Sequence, residues 1–220
     1  MLWTAFYINQ DLGDQWEVEL DIQHRRQNFG EDDWNFARFY QYQGYRAWLH
    51  FNPTNDFTIS FSPLMYVHDV PISVDSWFED VEEQDEFRFS LRMEKEYQHR
   101  FFNVSHRYGL EHRQISSDER PGYFWREWRA RYLLRLTRPI SSNTDLVFYN
   151  EAFLSFGSRI QYNVFDQNRT YLGLEFDAGD YLSFELAYMF QIIMQRSGDA
   201  FDSVNILYVS AKIRNLFGDR

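Results

Sequence analysis

Charged side chains recur at every second position in several segments of this sequence. Glu17, Glu19 and Asp21 alternate with apolar residues, and Arg129 and Arg131 are spaced in the same way. Because alternate residues of a β-strand point to one face, this spacing predicts rows of charge on one side of a sheet. In a closed barrel such rows could face a water-filled lumen and select ions or anionic solutes. Rows of opposite sign could instead pair across the lumen and fill it.

The predicted lumen charge set comprises the acids and bases on the polar faces of the strand patterns. Its members are Glu17, Glu19, Asp21, Arg38, Arg46, Arg88, Arg92, Arg107, Glu111, Arg113, Glu127, Arg129, Arg131, Arg135, Glu151, Arg169, Glu175 and Glu185. A barrel of about 10 to 12 strands has little free space once Arg and Tyr side chains point inward. We therefore expect paired charges to fill the lumen, with an open pore as the alternative.

Hydrolytic chemistry on a membrane barrel needs a Ser or Thr hydroxyl that is activated by a His, with a third polar group to orient the base. Ser105 and His106 are adjacent, so a strand would point them to opposite faces. Two other pairs are possible on sequence position alone. These are Ser62 with His68 and Ser116 with His112. Polar residues at a barrel rim are the commoner explanation, and we expect no catalytic residue.

Metal, cofactor and nucleic-acid binding have little support in the sequence. The six histidines form no His-Glu-x-x-His motif, and the acidic segment from Asp75 to Glu86 lacks the spacing and the glycine of a calcium loop. The absence of cysteine excludes disulfides and thiolate metal sites. The net charge of -11 argues against nucleic acid, because phosphate binding needs a basic surface. We expect no metal, no cofactor and no nucleic-acid partner.

The elements that would position these side chains are strands with a two-residue period. The clearest pair is a hairpin in which Asn168–Phe176 and Leu182–Ile192 flank the turn residues Asp177–Asp180. Nine more segments show the same period. They are Leu2–Asn9, Gln15–His24, Trp34–Phe51, Phe57–Met65, Glu86–Glu94, Asn103–Arg113, Phe124–Thr137, Leu146–Phe156 and Ser203–Ile213. A bulge or strand end is expected at Pro63, because proline cannot donate to a ladder.

The connections between these strands alternate in length. Short ones fall near residues 11, 53, 99, 141 and 178, and longer ones near 29, 77, 118, 161 and 199. An up-and-down barrel shows this alternation, with short turns on one rim and long loops on the other. Eleven strands cannot close a wholly antiparallel ladder. The sequence therefore predicts a twelfth strand, within Asp69–Asp85 or beyond Ile213.

Composition favours a membrane barrel over a helical membrane protein. Aromatic residues make up 20% of the chain, the mean hydropathy is -0.58, and no apolar run approaches the roughly 18 residues of a spanning helix. The tryptophans lie mostly near the ends of the strand patterns and are expected to anchor at the membrane interface. These are Trp3, Trp16, Trp34, Trp48, Trp77, Trp125 and Trp128.

The predicted fold is all-β: a single domain over residues 1–220 that forms an up-and-down antiparallel transmembrane β-barrel of about 10 to 12 strands. A soluble all-β binding protein is the alternative fold. Met1 leads straight into a strand pattern rather than a signal peptide, so we take the sequence as a mature form with a start methionine.

Several phrases resemble a known family when they are taken together. They are Leu2-Trp3-Thr4, Glu86-Phe87-Arg88, Ser105-His106-Arg107 with Glu111 and Arg113, Tyr149-Asn150-Glu151, Phe165-Asp166-Gln167-Asn168-Arg169 and Tyr171-Leu172-Gly173. In order and spacing they are similar to the bacterial outer-membrane family known as domain of unknown function 2490, over most of the chain. The resemblance implies an outer-membrane β-barrel and implies no activity, substrate or catalytic residue.

We therefore expect a barrel of the Gram-negative outer membrane with a noncatalytic structural or partner-binding role. Its expected partners are the lipid bilayer, lipopolysaccharide and other outer-membrane proteins. A narrow, porin-like path for solutes or ions is the first alternative function, and a lipid-modifying enzyme is the second.

Overall fold

Residues that alternate between apolar and polar side chains form eleven long strands in this computed structural model, which describes residues 1–28, 34–70, 83–116, 122–158, 160, 162, 164–195 and 198–218. The strands are β1 Leu2–Asp11, β2 Trp16–Gln27, β3 Phe39–Thr54, β4 Phe57–Asp69, β5 Gln84–Gln98, β6 Asn103–Ser116, β7 Phe124–Ser141, β8 Thr144–Gly157, β9 Phe165–Asp177, β10 Leu182–Met194 and β11 Phe201–Arg214. All eleven predicted strands are confirmed, and most extend beyond their predicted ends. Among the described residues, no helix has the length and apolarity to cross a membrane.

The strands form one closed barrel in which each strand pairs antiparallel with the next in sequence. β1 and β11 close it as a parallel pair, in register from Leu2 opposite Leu207 to Asn9 opposite Arg214. Eleven strands do not close a wholly antiparallel ladder, as expected, but the described strands close without a twelfth because a parallel ladder satisfies the same backbone groups with slanted hydrogen bonds. Of the two places predicted for a twelfth strand, residues 71–82 lie outside the described residues, and residues 215–218 after β11 form no strand.

The two rims differ in the length of their connections, as predicted. The short-turn rim carries residues 12–15, 55–56, 99–102, 142–143 and 178–181. The long-connection rim carries residues 28–38, 70–83, 117–123, 158–164 and 195–200. β1 starts at the long-connection rim and β11 ends at the short-turn rim.

Several register shifts between neighbouring strands adjust which side chains face inward, and two of them concern predicted features. The β4 register with β5 shifts between Ser62 and Met65, so the bulge predicted at Pro63 is confirmed. A second shift between Arg25 and Arg26 leaves Gln41 as an extra residue in β3. The second bulge accounts for the imperfect alternation at the start of β3.

The polarity of the two barrel faces is reversed relative to a soluble protein. Large apolar side chains are exposed on the outer face of β2 to β11. They include Leu20, Ile22, Tyr45, Leu49, Phe61, Leu64, Phe89, Leu91, Met93, Tyr108, Leu110, Trp128, Tyr132, Leu154, Phe156, Leu172, Phe184, Leu186, Tyr188, Leu207 and Val209. Most charged side chains of the strands point inward. They share the interior with an apolar cluster on one side, formed by Trp3, Val147, Tyr171, Ala187, Met189 and Ile206.

The tryptophans do not share one environment. Trp16, Trp34 and Trp128 are exposed, which fits interfacial anchoring, whereas Trp77 lies outside the described residues. The prediction was wrong for Trp3, Trp48 and Trp125, which are buried. Trp3 and Trp48 lie against arginine guanidinium groups, which an aromatic face attracts.

Candidate functional site

The barrel encloses a cavity of about 410 Å³ that is lined by side chains from all eleven strands. A smaller cavity of about 150 Å³ adjoins it and shares Tyr7, Arg107, Tyr149 and Tyr208 with the larger one. The larger cavity is in the size range of small-molecule sites, but its lining is dominated by charge rather than by apolar groups.

Fourteen members of the lumen charge set line the larger cavity. They are Glu19, Asp21, Arg46, Arg88, Arg92, Arg107, Glu111, Arg129, Arg131, Arg135, Glu151, Arg169, Glu175 and Glu185. Arg113 and Glu127 pair with each other beside the cavity. Glu17 also lies inside the barrel, where it accepts a hydrogen bond from the Asn9 amide. The structure therefore brings seventeen of the eighteen predicted residues into the barrel interior.

Arg38 is the member that does not join the others. It is exposed and lies in a bend before β3 begins at Phe39, where its carbonyl accepts a hydrogen bond from Arg26 at 3.0 Å. The prediction extended the β3 pattern back to Trp34, and the bulge at Gln41 shows why that phase does not hold. The placement of Arg38 in the lumen was wrong.

Glu86 joins two arginines near the long-connection rim. The Arg88 guanidinium donates to it at 2.6 and 2.8 Å, and Arg113 Nη2 donates at 2.9 Å. Arg113 also reaches Glu127 at 3.2 Å. Two-pronged pairing of this kind is strong and directional. Glu86 was not in the predicted set, although its alternation with Arg88 on β5 carried the signal.

Glu111 and Glu151 link three arginines in the middle of the lumen. Arg131 donates to Glu111 at 2.8 Å and to Glu151 at 2.7 Å. Arg46 lies 3.4 Å from Glu111, and Arg107 lies 3.7 Å from Glu151. Both carboxylates are at most 3% exposed. Shared carboxylates thus tie β3, β6, β7 and β8 together across the barrel.

Two further pairs compensate charges at the edges of this network. Arg129 lies 2.7 Å from Asp166, which the prediction missed because the carboxylate turns inward only at a register shift in β9. At the short-turn rim, Arg135 donates to Glu175 at 2.8 Å. The interior is therefore an extended ion-pair network rather than a set of isolated charges.

Three cavity arginines have no carboxylate partner among the described residues: Arg25, Arg92 and Arg169. Their guanidinium groups lie on aromatic rings, and the Nε atoms of Arg92 and Arg169 are buried without a hydrogen-bond acceptor. The cavity lining carries ten basic and seven acidic side chains. The cavity lining therefore has a formal excess of three positive charges, in a chain whose net charge is -11.

Tyr42, Arg25, Trp3, Arg169 and Phe153 form what we call the arginine–aromatic stack. The Arg25 guanidinium lies 3.9 Å from the Tyr42 ring centre and 3.7 Å from the Trp3 ring centre. The Arg169 guanidinium lies 5.0 Å from Trp3 and 4.7 Å from Phe153. Sequence reasoning missed two members of this stack. Arg25 was assigned to the loop after the second predicted strand, and Trp3 was assigned to the membrane interface.

No predicted Ser–His pair is brought together. Ser62 bonds the Leu64 carbonyl and His68 bonds Asp85, whereas His112 packs on Trp128. Ser116 accepts a hydrogen bond from the Asp85 amide. A pair that the sequence did not reveal is His50 with Ser60, at 2.8 Å. Both residues are buried, and neither lines either of these two cavities.

His50 also belongs to the cluster best suited to a metal ion. One ligand atom each from Glu17, Glu19 and His50 lies within 4.8 Å of the others, and His50 Nε2 has no partner. However, Lys212 Nζ lies 3.8 Å from Glu19, and the Asn9 amide donates to Glu19 at 3.1 Å. These two groups already compensate the carboxylates, and a divalent ion would compete with Lys212.

The comparisons with known proteins address the family of this chain. A family model described as "Protein of unknown function (DUF2490)" matches residues 1–202. The resemblance found in the sequence is thereby confirmed. No curated protein matches the chain.

Proposed function

The chain belongs to the DUF2490 family, and on this premise we propose that it is a bacterial outer-membrane β-barrel with a noncatalytic structural or partner-binding role. The observation that carries the proposal is the reversed polarity of the barrel, which is apolar outside and charged inside. Paired charges would obstruct the lumen and hold the barrel walls together.

The outer face supports a membrane location. Contiguous apolar patches of this extent are rare on soluble monomers. The strands contain 10 to 18 residues, and about 9 to 11 tilted residues suffice to cross the hydrocarbon core. Closure satisfies the backbone groups of every strand, as lipid requires.

The inner face supports an obstructed lumen. Glu111 and Glu151 are buried. Glu111 pairs with arginines of β3 and β7, and Glu151 pairs with arginines of β6 and β7. A solute that passed along the axis would have to separate these pairs, and breaking a buried pair costs about 3–5 kcal/mol. A structural role follows, since the same pairs brace the strands against one another.

Planar-bilayer recording of the detergent-refolded chain tests this proposal, once circular dichroism has shown strand structure and vesicle flotation has shown insertion. We expect insertion without steady unitary conductance. Regular unitary steps would contradict an obstructed lumen. A chain that stays monomeric in water without detergent would contradict the membrane location, and cleavage of a labelled lipid would contradict a noncatalytic role.

A narrow anion-selective path is the second candidate function, favoured by the excess of basic side chains around the cavity. This path would show small unitary steps with anion preference. Charge reversal by Arg129→Glu or Arg131→Glu would then reduce that preference, because both side chains line the cavity. Conductance that is unchanged by either substitution would exclude this path through the lumen.

The bilayer, lipopolysaccharide and other outer-membrane proteins are the partners that fit this location. The apolar outer face suits lipid chains, and the long-connection rim would face outward if the usual orientation of such barrels holds. Fractionation of cells that express the full-length precursor would test the location. Recovery in the soluble fraction would contradict it.

A further inference from the structure

We propose that the arginine–aromatic stack is a binding site for an oxyanion of the phosphate class, open to the cavity near the long-connection rim. The inference goes beyond a structural role, because it concerns a ligand held inside the barrel. It does not depend on whether the lumen conducts.

Buried donors without acceptors converge on the stack. Three donors of the stack are buried without a hydrogen-bond partner: the Trp3 indole Nε1, the Tyr42 hydroxyl and the Arg169 Nε. The Trp3 side chain is only 5% exposed and the Tyr42 side chain only 2%. Burying a polar group unpaired costs about 1–3 kcal/mol. Three such donors in one stack are therefore more simply explained by a missing acceptor than by chance.

The charge of the stack points to an anion. In the described part of the chain, neither Arg25 nor Arg169 pairs with a carboxylate, and Arg25 donates one side-chain hydrogen bond, to Gln23 at 3.2 Å. Apart from Arg92, the other arginines around the cavity each have at least one carboxylate partner. Arg131, for example, pairs with both Glu111 and Glu151. Contacts with aromatic rings stabilise a guanidinium without supplying a negative charge.

Strand register brings three of these residues side by side. Trp3 is opposite Arg25 across β1 and β2, and Arg25 is opposite Tyr42 across β2 and β3. Arg169 of β9 approaches Trp3, with its guanidinium 5.0 Å from the ring centre. Gly44 permits this arrangement, because a Cβ at that position would lie 2.9 Å from the Tyr42 hydroxyl. All four donor residues line the 410 Å³ cavity.

A phosphate group fits this donor set better than a carboxylate. The stack offers an indole N–H, a phenol and two guanidinium groups, and a phosphate monoester presents three terminal oxygens to receive them. The phosphate could belong to a small solute or to a lipid headgroup, because the donors distinguish only the oxyanion.

Isothermal titration of the detergent-refolded chain with inorganic phosphate and with dihexanoyl phosphatidic acid tests the site, in a chloride buffer of constant ionic strength. We expect saturable binding of at least one probe. Arg169→Gln should weaken it about tenfold or more, because a hydrogen bond to a charged group is lost. Arg135→Gln is the matched control, since Arg135 lines the same cavity but pairs with Glu175. It should bind like the wild type.

Trp3→Phe provides a second variant in case Arg169→Gln does not fold. It keeps an aromatic ring and removes only the unpaired N–H, and roughly fivefold weaker binding is expected. Binding of inorganic phosphate would identify a solute ligand, and binding of the lipid probe alone would identify a headgroup. The proposal is overturned if neither probe binds, or if binding survives Trp3→Phe and Arg169→Gln unchanged.

Discussion

Glu111 illustrates how much one buried carboxylate can contribute in this barrel. It is 2% exposed and pairs with both Arg46 and Arg131, and it is the only carboxylate paired with Arg46 in the described part of the chain. We expect Glu111→Gln to lower the free energy of unfolding by about 3–5 kcal/mol, because a buried arginine is left without a partner. Urea unfolding in lipid vesicles, followed by tryptophan fluorescence, measures this change.

Glu175→Gln is the control for Glu111→Gln. Glu175 pairs with Arg135 at the short-turn rim, and both side chains are partly exposed to water. Loss of this pair should lower the free energy of unfolding by only about 1 kcal/mol or less, because solvent screens the pair. Equal losses in the two variants would show that burial does not determine the strength of these pairs.

Two glycines inside strands should respond differently to the same substitution. A Cβ at Gly173 would lie 2.8 Å from the Tyr171 hydroxyl and 2.9 Å from the Leu186 carbonyl oxygen, whereas at Gly109 its nearest neighbour would be Arg131 Cβ at 3.5 Å. Gly173→Ala should therefore lower the unfolding free energy by about 1–3 kcal/mol. Gly109→Ala should change it by about 0.5 kcal/mol or less, because a Cβ there would make only ordinary van der Waals contacts. Equal effects in the same urea assay would contradict this packing.

The sequence predicted which face most lumen charges occupy but not which charges meet. Alternation is a local property, so Glu19 and Glu151 could be assigned to an inner face from their neighbours alone. The partnership of Glu86 with Arg113 depends on how β5 and β6 are aligned, and that alignment is decided by the whole barrel. For the same reason the stack of Trp3 with Arg169 had no signal in the sequence.

The parallel seam between β1 and β11 is the element that most distinguishes this barrel. Its register places Thr4 opposite Val209. Since the chain has no cysteine, Thr4→Cys with Val209→Cys should form a disulfide on oxidation, which a gel without reductant would show as a shift in mobility. Thr4→Cys with Ile213→Cys is the control. That pair is displaced by four residues, or roughly 13 Å along the strands, and should stay reduced.

Cross-linking of the displaced pair, or of neither pair, would contradict the seam. The eleven strands themselves were predictable because each keeps a period of two over a long run, although the bulge at Pro63 reverses the phase within β4. The seam was not predictable, because no short hairpin joins the first strand to the last and only closure brings them together.

The outer surface of the whole barrel predicts how the molecule responds to added charge. Leu186 is exposed in the central part of β10, and Tyr181 is exposed at the short-turn rim just before that strand. In a bilayer, Leu186→Arg should lower the free energy of unfolding by about 2–4 kcal/mol, and Tyr181→Arg should lower it by about 0–1 kcal/mol. Refolding into vesicles over a urea series measures both. If the outer face met water instead, both variants would fold like the wild type.

An odd number of strands gives this barrel a direction that an even number would not. Because β1 starts at one rim and β11 ends at the other, a peptide joined ahead of Met1 and a peptide joined after the last strand would emerge on opposite faces. In a sealed vesicle, a protease added outside would remove one of two such epitopes and spare the other. The molecule would thus report its own orientation from its ends alone, without any label on the barrel.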